Sequence, residues 1–264
     1  MQTILGNTKL ECIDNIHSKI EYTNPTGSIK DRFIVYWFDY CEKNGELKKG
    51  DTIIEASSGN TGISLAYFGR LRRYNVKIVM PEDMSVERKK RIIDYGAELI
   101  ECGEGNFEMA AMIRDKEIRK FGYKSPLQFS NRLNVEAHYQ TTGQEIVYQF
   151  EETNPERNID VFVAGVGTGG TLIGIAKRLK KIYPNVKIIA VEPEESAVMS
   201  GKRRGKHRIQ GIGDGFIPDI VKGNKDGLNK IIDEIAVVHS DVAIKTAREL
   251  DKKGYSVGIS SGAN

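Results

Sequence analysis

The chain has 264 residues, 39% of them hydrophobic and 28% charged, with a formal net charge of +3. That length provides for one large domain or two smaller ones with real cores, and so small a charge gives no ground for a nucleic-acid or membrane-surface partner. Three cysteines without short spacing and four scattered histidines argue against a disulfide framework and against a metal site, and no apolar run is long enough to span a bilayer.

The N-terminus, Met1-Gln2-Thr3-Ile4-Leu5-Gly6-Asn7, lacks the charged-then-apolar pattern of a signal peptide, so a soluble cytoplasmic protein is expected. Thr8 to Ile16 reads as a short strand and Lys19 to Tyr22 as another. Asn24-Pro25-Thr26-Gly27 breaks the chain, and Ser28 is the expected N-cap of a helix. Its apolar positions Ile29, Phe33, Ile34, Trp37, Phe38 and Cys41 recur at helical spacing, and Asn44-Gly45 ends it. Thr52 to Glu55 is β-rich and enters Ala56-Ser57-Ser58-Gly59-Asn60-Thr61-Gly62, after which Ile63 to Tyr74 is helical. A strand (Val76 to Met80), a charged helix (Ser85 to Tyr95), a strand (Glu98 to Glu101) and a helix (Phe107 to Lys120) follow. Pro126 to Asn134 is irregular, and Val135 to Phe150 is helical. The alternation resumes with a strand (Ile159 to Ala164), a glycine-rich turn (Gly165 to Gly170), a helix (Thr171 to Tyr183) and a strand (Val186 to Val191). Met199 to Gly215 reads as loop. A short helix (Gly227 to Glu234), a strand (Ile235 to His239) and a helix (Asp241 to Lys253) precede Ser260. Repeated βαβ units predict an α/β fold with parallel sheets, in two halves spanning 1–139 and 140–264. Ligands in such sheets sit at the carboxyl ends of strands, where both glycine-bearing turns fall.

Lys30 stands at the start of the first apolar helix. The positive end of the helix dipole and burial both push an ammonium there toward the neutral, nucleophilic amine. The alternative is an exposed lysine paired with Asp31. Gly165-Val166-Gly167-Thr168-Gly169-Gly170-Thr171 lets backbone N–H groups converge on an anion at a helix N-terminus, which suits a phosphate. It also fits a dinucleotide fingerprint, with Glu192 at the end of the next strand. Ser57 to Gly62 has fewer glycines and more side-chain donors, which suits a carboxylate; an elaborate helix cap is the other reading. The basic runs Arg88-Lys89-Lys90-Arg91 and Lys202 to Arg208 read as solvated surface, since no aromatic residues interleave for base stacking.

Asn24 to Arg32, Ser57 to Gly62, Gln128-Phe129, Gly167 to Thr171 and Gly258-Ile259-Ser260-Ser261-Gly262 occur in an order that resembles the cysteine synthase and cystathionine β-synthase family. These are pyridoxal-phosphate enzymes of fold type II, and the likeness covers nearly the whole chain. It implies two open twisted sheets, mostly parallel, flanked by helices. It also implies a Schiff base between pyridoxal 5'-phosphate and Lys30, with Lys30 then acting as the base at the substrate Cα. Gly167, Thr168, Gly169, Gly170 and Thr171 would hold the cofactor phosphate, Asn60 the ring hydroxyl and Ser260 the pyridine nitrogen. Ser57, Ser58, Gly59, Thr61 and Gln128 would grip the carboxylate of a small amino-acid substrate, in a homodimer. The implied reaction is β-replacement, forming cysteine from O-acetylserine and sulfide. A neutral serine at the ring nitrogen makes a weaker electron sink than a carboxylate partner would, which suits prompt loss of a β-leaving group. A nicotinamide oxidoreductase and an inactive regulatory homologue are the alternatives.

Three departures stand against this likeness. Lys9 in Gly6-Asn7-Thr8-Lys9-Leu10 occupies a position where the family has proline, and the segment from there to Asn24 is short. The chain stops at Asn264, where relatives continue behind Ser260. Asp214, in Gly211-Ile212-Gly213-Asp214-Gly215-Phe216, replaces a small uncharged residue of cysteine synthases. A carboxylate at the pocket wall would act as a base on water and turn cysteine into serine and hydrogen sulfide; otherwise it is a loop aspartate facing solvent.

Overall fold

The computed structural model describes residues 5–105, 107–223 and 227–264. The chain forms two compact units, Met1–Gln128 and Phe129–Asn264, each α/β with its own parallel sheet.

In the first unit β1 (Leu10–Ile13) and β2 (Ile16–Lys19) form an antiparallel ribbon that turns at Asp14 and Asn15, both left-handed with φ of 49° and 66°. Short polar side chains tolerate that conformation, so the strand expected from Thr8 to Ile16 folds into a hairpin. Glu21–Thr23 is a single 3-10 turn rather than a strand. Helix α1 (Lys30–Lys43) buries Phe33, Ile34, Trp37, Phe38 and Cys41 of the apolar positions its spacing predicts, and Val35 besides, while Ile29 is half-buried just ahead of the helix. The sheet runs in the order β3 (Thr52–Ala56), β4 (Asn75–Pro81), β5 (Glu98–Cys102), all parallel. Crossovers α2 (Asn60–Arg72) and α3 (Val86–Asp94) join the strands, and α4 (Phe107–Phe121) follows. Ile53, Ile54, Ile78, Val79 and Met80 are fully buried, as expected of parallel strands covered on both faces. Helix α2 starts at Asn60, ahead of the apolar pattern. The Ser57 hydroxyl accepts from the N–H groups of Gly59 at 3.2 Å and Gly62 at 2.9 Å and so closes the first turn early.

In the second unit the helix expected over Val135 to Phe150 is two helices, α5 (Arg132–Gln140) and α6 (Thr142–Thr153). They break at Thr141, at φ −112° and ψ −80°, where the Thr141 hydroxyl donates to the Ala137 carbonyl at 2.7 Å. The sheet runs β6 (Val161–Gly165), β7 (Lys187–Pro193), β8 (Glu234–Val238), again all parallel. Helix α7 (Gly170–Ile182) links β6 to β7; α8 (Ser240–Lys252) and the short α9 (Ile259–Ala263) end the chain. No helix forms over 227–234: Lys222 and Leu228 make a β-bridge, and the Asn229 N–H donates to the Val221 carbonyl at 2.8 Å. The units divide ahead of the expected 139/140 boundary because α5 packs on α7. A Cβ on Gly174 would lie 2.4 Å from the Val135 carbonyl oxygen, so the two backbones touch there. Among the described residues no helix is long and apolar enough to cross a membrane, and no group of His, Cys, Asp and Glu could hold a metal ion.

Candidate active site

The turn before Lys30 is built by its polar neighbours. Asn24 Nδ2 donates to the Glu21 carboxylate at 2.7 Å and to the Glu21 carbonyl at 2.8 Å. The buried Arg32 pairs with Glu21 at 2.7 Å and donates to the Thr8 hydroxyl at 2.9 Å. Asp31 is fully buried, and its carboxylate accepts from the Thr26 N–H at 2.7 Å and from the Thr26 hydroxyl. Burial pushes the Asp31 acid above the ordinary carboxylate range, against the pull of the Thr26 bonds. Asp31 therefore closes the turn rather than pairing with Lys30, which sets aside the alternative of a simple surface ion pair. Ile29, not Ser28, takes the N-cap position of α1; the Ser28 hydroxyl still accepts from the Lys30 N–H at 3.3 Å. Lys30 itself is half-buried at the first position of the helix.

Ser57, Ser58, Gly59, Asn60 and Thr61 form the turn from β3 into α2. Ser57 and Thr61 are buried, Ser58 is half-buried, and Asn60 is exposed with no hydrogen bond from its amide to the described residues. The Thr61 hydroxyl donates to Gln128 Oε1 at 2.6 Å, and Gln128 Nε2 donates to the Ala56 carbonyl at 2.9 Å. The Gln128 N–H donates to Glu55 at 3.2 Å. Glu55 is itself fully buried and pushed above its ordinary range by burial, with Arg114 opposing. Two arginines read as surface charge do otherwise. Arg88 donates to the Ser58 carbonyl at 3.3 Å and Arg91 to the Thr26 carbonyl at 2.9 Å, so α3 ties the serine turn and the lysine turn together. Their one-turn spacing on the face of buried Ile92 was the available signal.

In the second unit Gly165 to Thr171 runs from β6 into α7. Gly169 is left-handed at φ +86°, and a Cβ on Gly167 would meet the Gly211 carbonyl oxygen at 2.5 Å. The first-turn N–H groups of this thirteen-residue helix have no carbonyl behind them, beside the hydroxyls of Thr168 and Thr171. Asn134 Nδ2 donates to Thr168 at 2.9 Å, and His138 Nε2 lies 3.2 Å from the Thr171 hydroxyl. Neither residue carries a sequence motif. Asp214 follows directly on a segment pinned to this loop: the Gly213 N–H donates to the Val166 carbonyl at 2.9 Å, and His207 bonds the Gly213 carbonyl at 2.8 Å. Ser260 is half-buried on α9, whose Ile259 and Ala263 join the cluster of Val191, Ile209, Ile212 and Ala243. Glu192, the candidate ribose ligand, is buried. Its two oxygens accept from the N–H groups of Met199 at 2.8 Å and Ser200 at 2.9 Å and from the Ser200 hydroxyl at 2.7 Å. A carboxylate so engaged shapes a turn and does not read a nucleotide.

The family model for pyridoxal-phosphate dependent enzymes matches residues 2–264. The chain belongs to that family. It is similar to a cysteine synthase of Staphylococcus aureus, 44% identical over 94% of this chain and 78% of that protein. It is also similar to the crystal structure of a hydrogen sulfide-producing enzyme of Fusobacterium nucleatum, 43% identical, TM-score 0.87, covering 94% of this chain and 73% of that one. An aspartate-to-asparagine mutant of that enzyme was solved with an α-aminoacrylate intermediate. A cysteine synthase structure from Entamoeba histolytica is 44% identical, TM-score 0.83, over 93% of this chain and 70% of that one.

The residues present fit the family's cofactor. The glycine loop offers the N–H groups of a helix N-terminus and two hydroxyls to a phosphate, with side chains absent at Gly167, Gly169 and Gly170, where a Cβ would collide with its surroundings. Lys30 is half-buried at a helix start whose neighbouring acid is engaged elsewhere.

Proposed function

We propose that this chain catalyses β-replacement on an L-amino acid with pyridoxal phosphate, as a cysteine synthase acting on O-acetylserine and sulfide. The observation that carries the reading is the lysine turn. Asp31 is held by Thr26 and Arg32 by Glu21, so the turn is fixed by its own polar side chains, and Lys30 stands half-buried at the first position of α1. When bound, the cofactor supplies the electron sink for the bond broken at the substrate Cα. Lys30 holds it and moves the Cα proton. The glycine loop with Thr168 and Thr171 would hold the phosphate, Asn60 would bond the ring hydroxyl, and Ser260 would offer a neutral hydroxyl to the ring nitrogen. Ser57, Ser58, Gly59 and Thr61, with Gln128, orient the substrate carboxylate. The resemblance also carries a homodimer in a cytoplasmic setting; sedimentation of the holoprotein at a monomer mass would remove the dimer.

A second reading is favoured by Asp214, whose segment is pinned against the glycine loop, and by the hydrogen sulfide-producing relative. Here cysteine and water give serine and hydrogen sulfide: the Cβ–S bond breaks and its electron pair leaves with sulfur as hydrosulfide, Asp214 takes a proton from water as the water oxygen bonds to Cβ, and that proton passes to the hydrosulfide to give hydrogen sulfide. Product analysis with O-acetylserine plus sulfide, and separately with cysteine alone, decides between them. Cysteine from the first mixture supports synthesis; serine and sulfide from the second support release. Lys30→Ala is expected to abolish both. Asp214→Asn is expected to slow sulfide release about a hundredfold while leaving the cofactor's absorption in place. Neither product in either assay would overturn both readings.

A further inference from the structure

Asn134 and His138 lie one turn apart on α5, both fully buried, facing the two threonines of the glycine loop. A hydroxyl has one proton to give and two lone pairs. Thr168 uses both lone pairs inside the fold: its Oγ1 accepts from Asn134 Nδ2 at 2.9 Å and from the Gly170 N–H at 3.4 Å. Its proton is left for whatever the loop holds. Thr171 has one side-chain neighbour, His138 Nε2 at 3.2 Å, and the opposite ring nitrogen, Nδ1, lies 2.9 Å from the hydroxyl of fully buried Thr142.

With a neutral imidazole these three side chains admit two circuits. In one, the Thr142 hydroxyl donates to His138 Nδ1, Nε2–H donates to Thr171, and the Thr171 proton points into the loop. In the other, Nδ1–H donates to Thr142, the bare Nε2 accepts from Thr171, and that proton is turned away. The second circuit sends the Thr142 proton toward Thr141 Oγ1, 3.5 Å away, while the Thr141 proton already goes to the Ala137 carbonyl at 2.7 Å. The first circuit places the Thr142 proton in the shorter contact, 2.9 Å to His138 Nδ1 against 3.5 Å to Thr141 Oγ1. An acceptor-only anion in the loop requires it as well.

We propose that His138 is a positioning residue. Supported by Thr142, it carries its N–H on Nε2 and so fixes Thr171 as a donor to the cofactor phosphate, as Asn134 fixes Thr168. The inference rests on the glycine loop being the phosphate site. Helix α5 is then the brace of that site. Close approach at Gly170 and Gly174 seats it there: a Cβ on Gly170 would lie 2.1 Å from Asn134 Oδ1, and one on Gly174 would lie 2.7 Å from His138 Cβ.

The test compares the apoprotein's affinity for pyridoxal 5'-phosphate and for pyridoxal, which lacks the phosphate, in wild type, His138→Asn and His138→Gln. A glutamine amide reaches the Nε2 position and restores the donor; an asparagine amide does not. The expected result is about tenfold weaker binding of the phosphate ester by His138→Asn, unchanged pyridoxal binding, and recovery to within about threefold by His138→Gln. Equal losses for both ligands, or no loss, would overturn the role of His138. Equal affinity of the wild type for the two ligands would instead overturn the phosphate site itself. Imidazole 15N spectra of the wild-type holoprotein, with the other three histidines assigned by substitution, give an answer even if these variants do not fold. Protonated Nε2 with bare Nδ1 at His138 supports the relay, and protonated Nδ1 with bare Nε2 sinks it.

Discussion

Thr61 has one hydroxyl proton, and it goes to Gln128 Oε1 at 2.6 Å. That proton is committed within the fold. Thr61 orients Gln128, whose Nε2 is held at the Ala56 carbonyl and whose N–H is held by the fully buried Glu55. Thr61→Val keeps the shape and removes the donor from a buried carbonyl oxygen, a change worth ~1–3 kcal/mol. The expected outcome is a KM for the amino acid raised about tenfold, with the cofactor absorption unchanged. Thr61→Ser should recover most of the loss. An unaltered KM in Thr61→Val would make the pair mere packing. The sequence placed both residues at one carboxylate, and the fold brings them together. It could not show which would donate to which, because that direction depends on Ala56 and Glu55, far from Gln128 in the chain.

At the scale of elements, legibility followed the kind of signal. The strands β3, β4 and β7 were readable because buried parallel strands are near-continuous apolar runs, β6 was readable from its Val-Phe-Val-Ala run, and α1 from its apolar face. Boundaries failed where a single polar contact decides them. Asp14 and Asn15 turn a hairpin inside an expected strand, the Ser57 hydroxyl starts α2 early, and the Thr141 hydroxyl splits one expected helix into α5 and α6. The glycine loop and the serine turn were legible as motifs, since they lie within a few residues of one chain segment. Their supports were not. Arg88 and Arg91 look like surface charge until their carbonyl acceptors are known, and Asn134 and His138 look like ordinary helix residues until α7 lies beside them. Long-range partners leave no local trace, so a sequence names candidate reacting groups more readily than the residues that hold them.

At the scale of the two units, four carboxyl groups with shifted acidities fall into two opposed sets. In the first unit burial raises Asp31 and Glu55, against Thr26 and Arg114 respectively. In the second unit burial would raise Glu195, but hydrogen bonds from Ser240 outweigh it, and Asp233 is lowered by the Ile188 N–H and Lys180. An acid raised in the fold takes up its proton more readily when folded. Its stabilising effect is fully present below the unfolded pKa and is lost as pH rises through the folded one. An acid lowered in the fold does the reverse: its contribution is present above the unfolded pKa and disappears as pH falls through the folded one. Acidification from neutral pH to about 4, near the ordinary carboxylate values, should thus favour the first unit while it begins to weaken the second. Hydrogen exchange corrected for intrinsic rates should show protection falling first around Ile188 on β7, held by Asp233 at 2.8 Å, and at Ser240, held by Glu195 at 3.0 Å. Protection on β3 beside Glu55 should hold or rise over the same interval. If β3 opens first, or the two units lose protection together, these four carboxyl groups do not set the acid response of the fold.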